Sequence, residues 1–234
     1  MEILRVDPER PDARTLDAAA EAVLRGGVIA FPTDTLYGLG CSLFDVSAVE
    51  MIARLKRRDP RHAVISLIPD PQQAWGLALT VNPVAEKLIR AFWPGPLSLI
   101  FLSAGIVPVR VQGQGGTIAL RCPKDHLSHA LLERIGGPMV SSSANVSGLP
   151  PAETADAVVA TFGNQLDLIL DGGPRRGGVP STLVDVSGPK PKLLRRGELD
   201  VTSLLGDFED LTAGNNMGDS MGYSMGDSTG GRNG

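Results

Sequence analysis

The chain has 234 residues, 42% of them hydrophobic and 21% charged, and a formal net charge of -4, a globular composition without general affinity for nucleic acid. Its two cysteines, Cys41 and Cys122, match no metal-binding spacing and are too few for a disulfide scaffold. No apolar signal segment opens the chain and no apolar run is long enough to span a bilayer, so we expect a cytoplasmic protein without a membrane partner.

Short apolar runs alternate with amphipathic segments over most of the chain. In chain order, the pattern predicts a strand at 3–6, a helix at 15–24, a strand at 28–31, a helix near 49–55, a strand at 63–68, a helix at 82–92, strands at 97–102 and 117–121, a helix at 126–135, a helix at 154–162, and strands at 166–170 and 183–186. Thr15 is the predicted N-cap of the first helix, and Asp59-Pro60 is the predicted stop of the second.

Strands and helices interleave, and the runs at 97–102 and 117–120 resemble the two arms of a hairpin. We therefore predict an α/β fold, a single domain with a twisted, mixed open β-sheet flanked by helices. This domain is expected to cover residues 1–208. Residues 209–234 contain a Met-Gly-x-Ser repeat rich in glycine and serine, and we expect them to form a disordered tail because they cannot offset their ordering entropy.

Two stretches each allow two interpretations. Lys56, Arg57 and Arg58 follow an amphipathic segment, where the three cations complement the negative end of a helix dipole or, alternatively, Lys56 and Arg58 bind a polyphosphate. Residues 33–41, TDTLYGLGC, come directly after a predicted strand. They form either a ligand-binding loop beyond that strand or an ordinary connection in which Asp34 caps a helix.

Familiar phosphate and metal motifs do not occur in this sequence. It has neither a G-x-x-x-x-G-K-[ST] phosphate loop nor a G-x-G-x-x-G fingerprint, and no paired zinc pattern. What remains is a set of cations and hydroxyls beside short strands, namely Lys56, Arg58, Arg121, Ser141, Ser142, Ser143, Asn145, Ser181, Thr182, Arg195 and Arg196. Serine clusters and arginine forks suit phosphate or carboxylate oxygens, so the set predicts a small-molecule site for at least two anionic groups.

Seven ordered blocks resemble one known family. They are GGVIAFPTDTLYGLGC (26–41), LKRR (55–58), WPGPLSLI (93–100), TIALRCP (117–123), SSSANVSG (141–148), STLVDV (181–186) and LLRRGEL (193–199). The chain resembles the YrdC/Sua5 family of threonylcarbamoyl-adenylate synthases, in the short form with a single catalytic domain. That family acts in making the threonylcarbamoyl adenosine of tRNA, and the resemblance implies an α/β open sheet with a large concave cationic cavity.

The resemblance implies a nucleotidyltransferase that joins L-threonine, bicarbonate and ATP. The threonine nitrogen is carboxylated, the carbamate oxygen attacks the α-phosphorus, and pyrophosphate leaves. Positioning and charge neutralisation would supply the catalysis, with Mg²⁺ assisting the pyrophosphate and no metal ligand assigned in the chain. Further candidate partners are tRNA and the transferase that acts downstream.

The same resemblance implies roles for individual residues. Lys56 and Arg58 fall on the K-x-R motif and are the expected catalytic pair. The expected contacts of L-threonine are Thr35, Arg121, Ser141 and Ser181. The expected contacts of the nucleotide are Lys56, Arg58, His62, Thr117, Ser143, Asn145 and Arg195.

One departure from the family pattern keeps alternatives open. The family has proline after K-x-R and a Pro-Leu pair further on, where this chain has Asp59, Ala63 and Val64. A divergent substrate, as in the YciO branch, is therefore a second interpretation. A third is an RNA-binding protein that uses a basic concave surface without making an adenylate. A fourth is carbamoyl transfer from another donor.

Overall fold

We describe the protein from a computed structural model, which covers residues 1–58, 64–175 and 177–214. Within these ranges the strands form one mixed sheet. The strands are β1 (Glu2–Arg5), β2 (Ile29–Pro32), β3 (Tyr37–Ser42), β4 (Ile65–Leu67), β5 (Leu97–Leu102), β6 (Thr117–Arg121), β7 (Met139–Ser143), β8 (Leu168–Asp171), β9 (Thr182–Asp185), β10 (Lys192–Arg195) and β11 (Glu209–Asp210). Their order across the sheet is β1-β8-β2-β3-β7-β4-β6-β5-β9-β10-β11. The predicted mixed α/β fold is therefore confirmed.

Seven α-helices of the described residues flank this sheet. They are α1 (Ala13–Leu24), α2 (Val46–Leu55), α3 (Ala74–Leu77), α4 (Pro83–Phe92), α5 (His126–Ile135), α6 (Ala155–Phe162) and α7 (Thr202–Leu205). Each of the five longest helices is capped at its N-terminus by a side chain that accepts a backbone N–H of the first turn. The capping residues are Asp12, Asp45, Asn82, Asp125 and Thr154. Within the described ranges, no helix has the length and apolar character needed to cross a membrane.

The pairing of the central strands decides which side chains meet. β5 and β6 pair antiparallel, as the hairpin pattern predicted, with Leu102 opposite Thr117. β7 lies antiparallel between β3 and β4, so that Ser141 has Gly40 on one side and Ile65 on the other. β4 and β6 run parallel, with Ile65 opposite Ala119. Ser141 therefore lies at the middle of the sheet rather than at its edge.

The two faces of the sheet are covered to different extents. One face carries the large core, in which β-strand residues such as Leu39, Leu99 and Leu120 pack with α2, α4 and α6. The other face has a smaller core, in which Phe31 and Met139 pack under α1 and α5. A separate small apolar cluster of Ile100, Ala119, Leu183 and Leu194 lies further along this second face.

Three sequence predictions about element boundaries were wrong. The N-cap of α1 is Asp12 rather than Thr15, because the Asp12 carboxylate accepts the Thr15 N–H at 2.9 Å. Residues 37–41 belong to β3, which pairs with β2 and β7, so only residues 33–36 of this segment form a loop, the tip of a hairpin. The structure also continues past residue 208, because β11 pairs parallel with β10. Residues 215–234 of the predicted tail lie outside the described ranges.

Candidate functional site

Register places four predicted site residues on one face of the sheet. Side chains alternate along a strand, so Thr117 and Arg121 share the face of Ala119 on β6. Ala119 lies opposite Ile65, and Ile65 lies opposite Ser141. Ser141 and Ser143 are two residues apart on β7 and therefore share that face too.

The same face continues across three further strands. Ile100 of β5 lies opposite Ala119, so Ser98, two residues before it, points the same way. Ser98 pairs with Leu183 of β9, and Leu183 pairs with Arg195 of β10. Arg195 therefore joins the group, and Ser181 joins it through a 2.9 Å hydroxyl–hydroxyl contact with Ser98. Residues from five of the sequence blocks thus converge on one surface.

Lys56 is the most completely enclosed of the predicted site residues. Its side chain has 0% exposure, and its Nζ donates to the carbonyl oxygens of Ser143 at 2.7 Å and Asn145 at 3.2 Å. The same Nζ lies 3.2 Å from Ser143 Oγ and 2.7 Å from Asn145 Oδ1. The Lys56 carbonyl in turn accepts the Ser147 N–H at 2.9 Å. Lys56 is therefore part of the packed fold as well as of the K-x-R motif, because its ammonium holds the end of β7 in place.

The end of α2 explains how the K-x-R motif turns. The Arg57 N–H donates to the Arg54 carbonyl and the Arg58 N–H donates to the Ala53 carbonyl, both at 3.0 Å. These two bonds form a Schellman motif, in which the residue after the C-cap is left-handed. Arg57 has that conformation, with a φ of 51°, although glycine is usual there. The helix therefore ends by its own hydrogen bonds at Leu55, while the predicted stop at Asp59-Pro60 lies outside the described ranges.

The hairpin tip between β2 and β3 presents Asp34 and Thr35. Thr33 holds this tip through its backbone N–H to the Leu36 carbonyl at 2.9 Å and through Oγ1 to the same carbonyl at 2.7 Å. Thr33 Oγ1 also accepts the Thr35 N–H at 3.2 Å. The Asp34 carboxylate crosses to β6, where Arg121 donates an N–H to it at 2.6 Å. The interpretation of Asp34 as a helix cap is therefore wrong.

Arg121 is fixed by two contacts and is largely buried. Its Nε donates to the Gly95 carbonyl at 3.0 Å, and its side chain is 12% exposed against 31% for that of Asp34. Asp125, the N-cap of α5, lies close enough for its carboxyl to interact electrostatically with both Asp34 and Arg121. Burial raises the pKa of Asp125, and the negative charge of Asp34 raises it further. This part of the site thus holds two acidic side chains and one guanidinium.

Ser181 and Arg195 form a second fixed contact on the same face. Arg195 donates from Nε to the Ser181 carbonyl at 3.0 Å and from its terminal nitrogen to Ser181 Oγ at 3.1 Å. Ser181 is only 6% exposed. The expected threonine contact Ser181 and the expected nucleotide contact Arg195 are therefore direct neighbours.

The segment after β8 approaches the hairpin tip. The Tyr37 hydroxyl donates to the Gly173 carbonyl at 2.9 Å and accepts the Gly172 N–H at 3.2 Å. Burial raises the pKa of Tyr37 to about 12. Further along, a β-carbon at Gly178 would lie 2.8 Å from Thr35 Cγ2, so the Gly178 backbone lies directly against the Thr35 side chain. The segment thus forms a wall beside Thr35.

The structure describes the positions of most, but not all, of the predicted site residues. Thr117 Oγ1 donates to the Gln114 carbonyl at 3.0 Å, and Asn145 Nδ2 donates to the Leu149 carbonyl at 2.6 Å. His62 lies outside the described ranges, as do Asp59 and Ala63. The large concave cationic cavity stays a prediction. Residue-by-residue matching to the family missed Asp34 and Ser98, although Asp34 stands inside the same block as Thr35.

Comparisons with known proteins match most of the chain. The model of the Sua5/YciO/YrdC family, described as telomere recombination, matches residues 21–197. A relative from Pyrococcus abyssi, named threonylcarbamoyl-AMP synthase, is 36% identical over 203 residues, which are 86% of this chain and 60% of the relative. This chain therefore spans less than two thirds of that relative's length.

Two solved structures resemble the fold closely. The crystal structure of Pyrococcus abyssi Sua5 complexed with L-threonine superposes with a TM-score of 0.83 at 34% identity, covering 90% of this chain and 62% of the other. The crystal structure of Escherichia coli YciO superposes with a TM-score of 0.79 at 31% identity, covering 88% of this chain and 100% of the other.

Proposed function

Because the chain belongs to the Sua5/YciO/YrdC family, we propose that it is a threonylcarbamoyl-AMP synthase acting on L-threonine, bicarbonate and ATP. In this reaction the threonine nitrogen attacks the bicarbonate carbon and water leaves, which gives a carbamate. A carbamate oxygen then attacks the α-phosphorus of ATP, and pyrophosphate leaves. The products are threonylcarbamoyl-AMP, pyrophosphate and water, and the adenylate would serve the modification of tRNA through a downstream transferase.

One observation carries this proposal. Cationic and hydroxyl side chains from separate sequence blocks share a single sheet face, with Ser141 at its centre and Arg121 and Arg195 on strands to one side. Guanidinium groups bind carboxylates and phosphates through parallel hydrogen bonds. A face with several such groups suits a reaction that joins an amino acid to a nucleotide. Its chemistry would come from positioning and charge neutralisation rather than from a nucleophilic side chain.

We assign the L-threonine end of the site to Arg121 and the residues around it. Arg121 would bind the substrate carboxylate, while Thr35, Ser141 and Ser181 would supply hydroxyl contacts. The L-threonine complex of the Pyrococcus abyssi relative supports an amino-acid pocket in this fold.

We assign the nucleotide end to Arg58, Arg195 and the β7 end that Lys56 holds. Lys56 binds the Ser143 and Asn145 carbonyls, so it would shape the segment that receives the phosphates as well as supply charge. Thr117, Ser143 and Asn145 would contact the nucleotide. His62 is assigned to the same end only because the family resemblance implies it.

Mg²⁺ would accompany ATP in this proposal. Among the described residues, no group of three or more His, Cys, Asp or Glu side chains is placed to hold a metal ion. Mg²⁺ keeps several waters and commonly binds through substrate phosphates. A site of hydroxyls and cations, without a cluster of carboxylates, is therefore compatible with a metal ion that ATP brings with it.

The experiment that tests the proposal measures pyrophosphate release. The full chain is incubated with ATP, Mg²⁺, bicarbonate and each amino acid in turn, with bicarbonate omitted as the control. We expect release with L-threonine that depends on bicarbonate, weaker release with serine, and none with valine, because a site that binds a hydroxyl rejects an analogue lacking it. Equal release with valine and threonine would refute the pocket. Salt-dependent RNA binding without release under any condition would favour the RNA-binding alternative.

A further inference from the structure

Asp34 is an acidic side chain in a site otherwise built from cations and hydroxyls. It lies at the hairpin tip, and its Oδ2 accepts an N–H of Arg121 at 2.6 Å. This places a carboxylate beside the guanidinium that is itself expected to bind a carboxylate. A role for Asp34 in substrate binding rests on the proposed function, because Asp34 lies at the L-threonine end of the same site.

The pair keeps unused hydrogen-bonding capacity on both sides. A guanidinium has five N–H donors, and Arg121 uses one for Gly95 and one for Asp34. Within the described ranges, Asp34 Oδ1 accepts no hydrogen bond, and the Asp34 side chain is 31% exposed. The Arg121–Asp34 ion pair therefore presents unused N–H donors next to an unused carboxylate oxygen.

This arrangement is complementary to an α-amino acid, which carries a carboxylate and an ammonium on the same carbon. We propose that Asp34 binds the α-ammonium of the substrate while Arg121 binds its carboxylate, which makes Asp34 a specificity-determining residue for free α-amino acids. Thr33 holds the tip by hydrogen bonds to Leu36 and Thr35, so the position of Asp34 is set before a ligand arrives.

The local charge supports the same assignment. Asp34 and Asp125 lie around a single guanidinium, so the cluster has one more carboxyl than cation when both are ionised. A zwitterionic amino acid adds one charge of each sign, so its ammonium would face Asp34 and its carboxylate would face Arg121 without adding net negative charge to the cluster. If Asp34 instead served only to occupy Arg121, the substrate carboxylate would have to displace it, and removing its charge would strengthen binding.

The test compares two ligands on two proteins. The ligands are L-threonine and (2S,3R)-2,3-dihydroxybutanoate, in which a hydroxyl replaces the ammonium, and the proteins are wild type and Asp34→Asn. Asn keeps the size and one acceptor but removes the charge. Asp200→Asn is the matched control, because Asp200 is an exposed loop aspartate whose carboxylate accepts the Thr202 backbone N–H and lies outside the proposed pocket. Equilibrium binding is measured by calorimetry, and pyrophosphate release is measured on the same samples.

We expect Asp34→Asn to weaken L-threonine binding by about ten- to a hundredfold, with less than about a threefold change for the dihydroxy analogue, since only the ammonium makes a charge-assisted bond. Asp200→Asn should change neither affinity. Unchanged threonine binding, or equal strengthening for both ligands, would overturn the inference and leave the proposed function standing. A wild type that binds neither ligand and releases no pyrophosphate would refute the proposed function itself, and the inference with it.

Discussion

The two ends of the site are built differently. At the Lys56 end, the ammonium is buried and makes contacts to Ser143 and Asn145, so it serves the fold as well as any ligand. At the Arg121 end, a guanidinium and the Asp34 carboxylate meet near the surface and keep free donors and acceptors. The difference shows that a cation in a binding motif can serve mainly to stabilise the fold around the site. Substitutions at the two ends should therefore differ in what they damage.

The largest expected effect is the loss of stability on replacing Lys56. Lys56→Ala removes the donor that serves the Ser143 and Asn145 carbonyls and leaves a cavity at a position with 0% exposure. We expect a fall of about 3 kcal/mol in the free energy of unfolding, from unsatisfied acceptors and lost packing together. Urea denaturation measures it. An unfolding free energy equal to that of wild type would mean that the ammonium does not hold the β7 end.

The second largest effect is expected at the Arg121 end of the site, where a substitution should weaken substrate binding rather than lower stability. Arg121→Lys keeps the charge but loses the planar fork that contacts both Gly95 and Asp34. We expect the KM for L-threonine to rise about tenfold, the loss of roughly one charge-assisted bond, with little change in the KM for ATP. Steady-state pyrophosphate release gives both constants. A defect confined to ATP would reverse the assignment of the two ends.

Local sequence patterns predicted the helices and strands better than they predicted which side chains contact each other. β5, β6 and α5 begin and end at the predicted residues, because each is a short apolar or amphipathic run bounded by polar residues, Gly or Pro. β3 was missed because its glycines and polar flanks resemble a loop, and it is stabilised by pairing with a strand some hundred residues away.

The side-chain contacts of the site that the sequence did not predict also join residues far apart in the chain. Asp34 and Arg121 are 87 residues apart, and Lys56 and Ser143 are also 87 apart. No local pattern reports such pairs. The family motifs indicated which residues lie in the site, but not that Lys56 is buried, because a lysine is rarely enclosed unless it is paired.

A smaller effect is expected at the wall beside Thr35. Gly178→Ala would place a methyl group 2.8 Å from Thr35 Cγ2, so the segment or Thr35 must shift. We expect the KM for L-threonine to rise several-fold, about 1 kcal/mol, at the low end of the roughly 1–3 kcal/mol that one methylene in a pocket is worth. Gly105→Ala is the control, since nothing lies within 4 Å of its added β-carbon. Identical kinetics for the two variants would place Gly178 outside the pocket.

The smallest effect concerns Arg57, which lies between the two motif cations and has no assigned role in binding. α1 and α2 end with the same pair of hydrogen bonds, but the left-handed residue is Gly26 in α1 and Arg57 in α2. A side chain in this conformation costs about 1 kcal/mol relative to glycine. Arg57→Gly should therefore raise the free energy of unfolding by about 0.5–1 kcal/mol and leave pyrophosphate release unchanged.

Arg54→Gly is the matched control, because Arg54 lies inside α2 and carries the same charge. Glycine within a helix is unfavourable by about 1 kcal/mol, so this variant should lose stability where the other gains it. Chemical denaturation of both variants decides the sign of each change. Opposite signs would show that the K-x-R turn is strained at its middle residue and that this strain is separable from the chemistry of Lys56 and Arg58. A loss of pyrophosphate release in Arg57→Gly alone, with stability raised, would instead give the Arg57 side chain a role in binding.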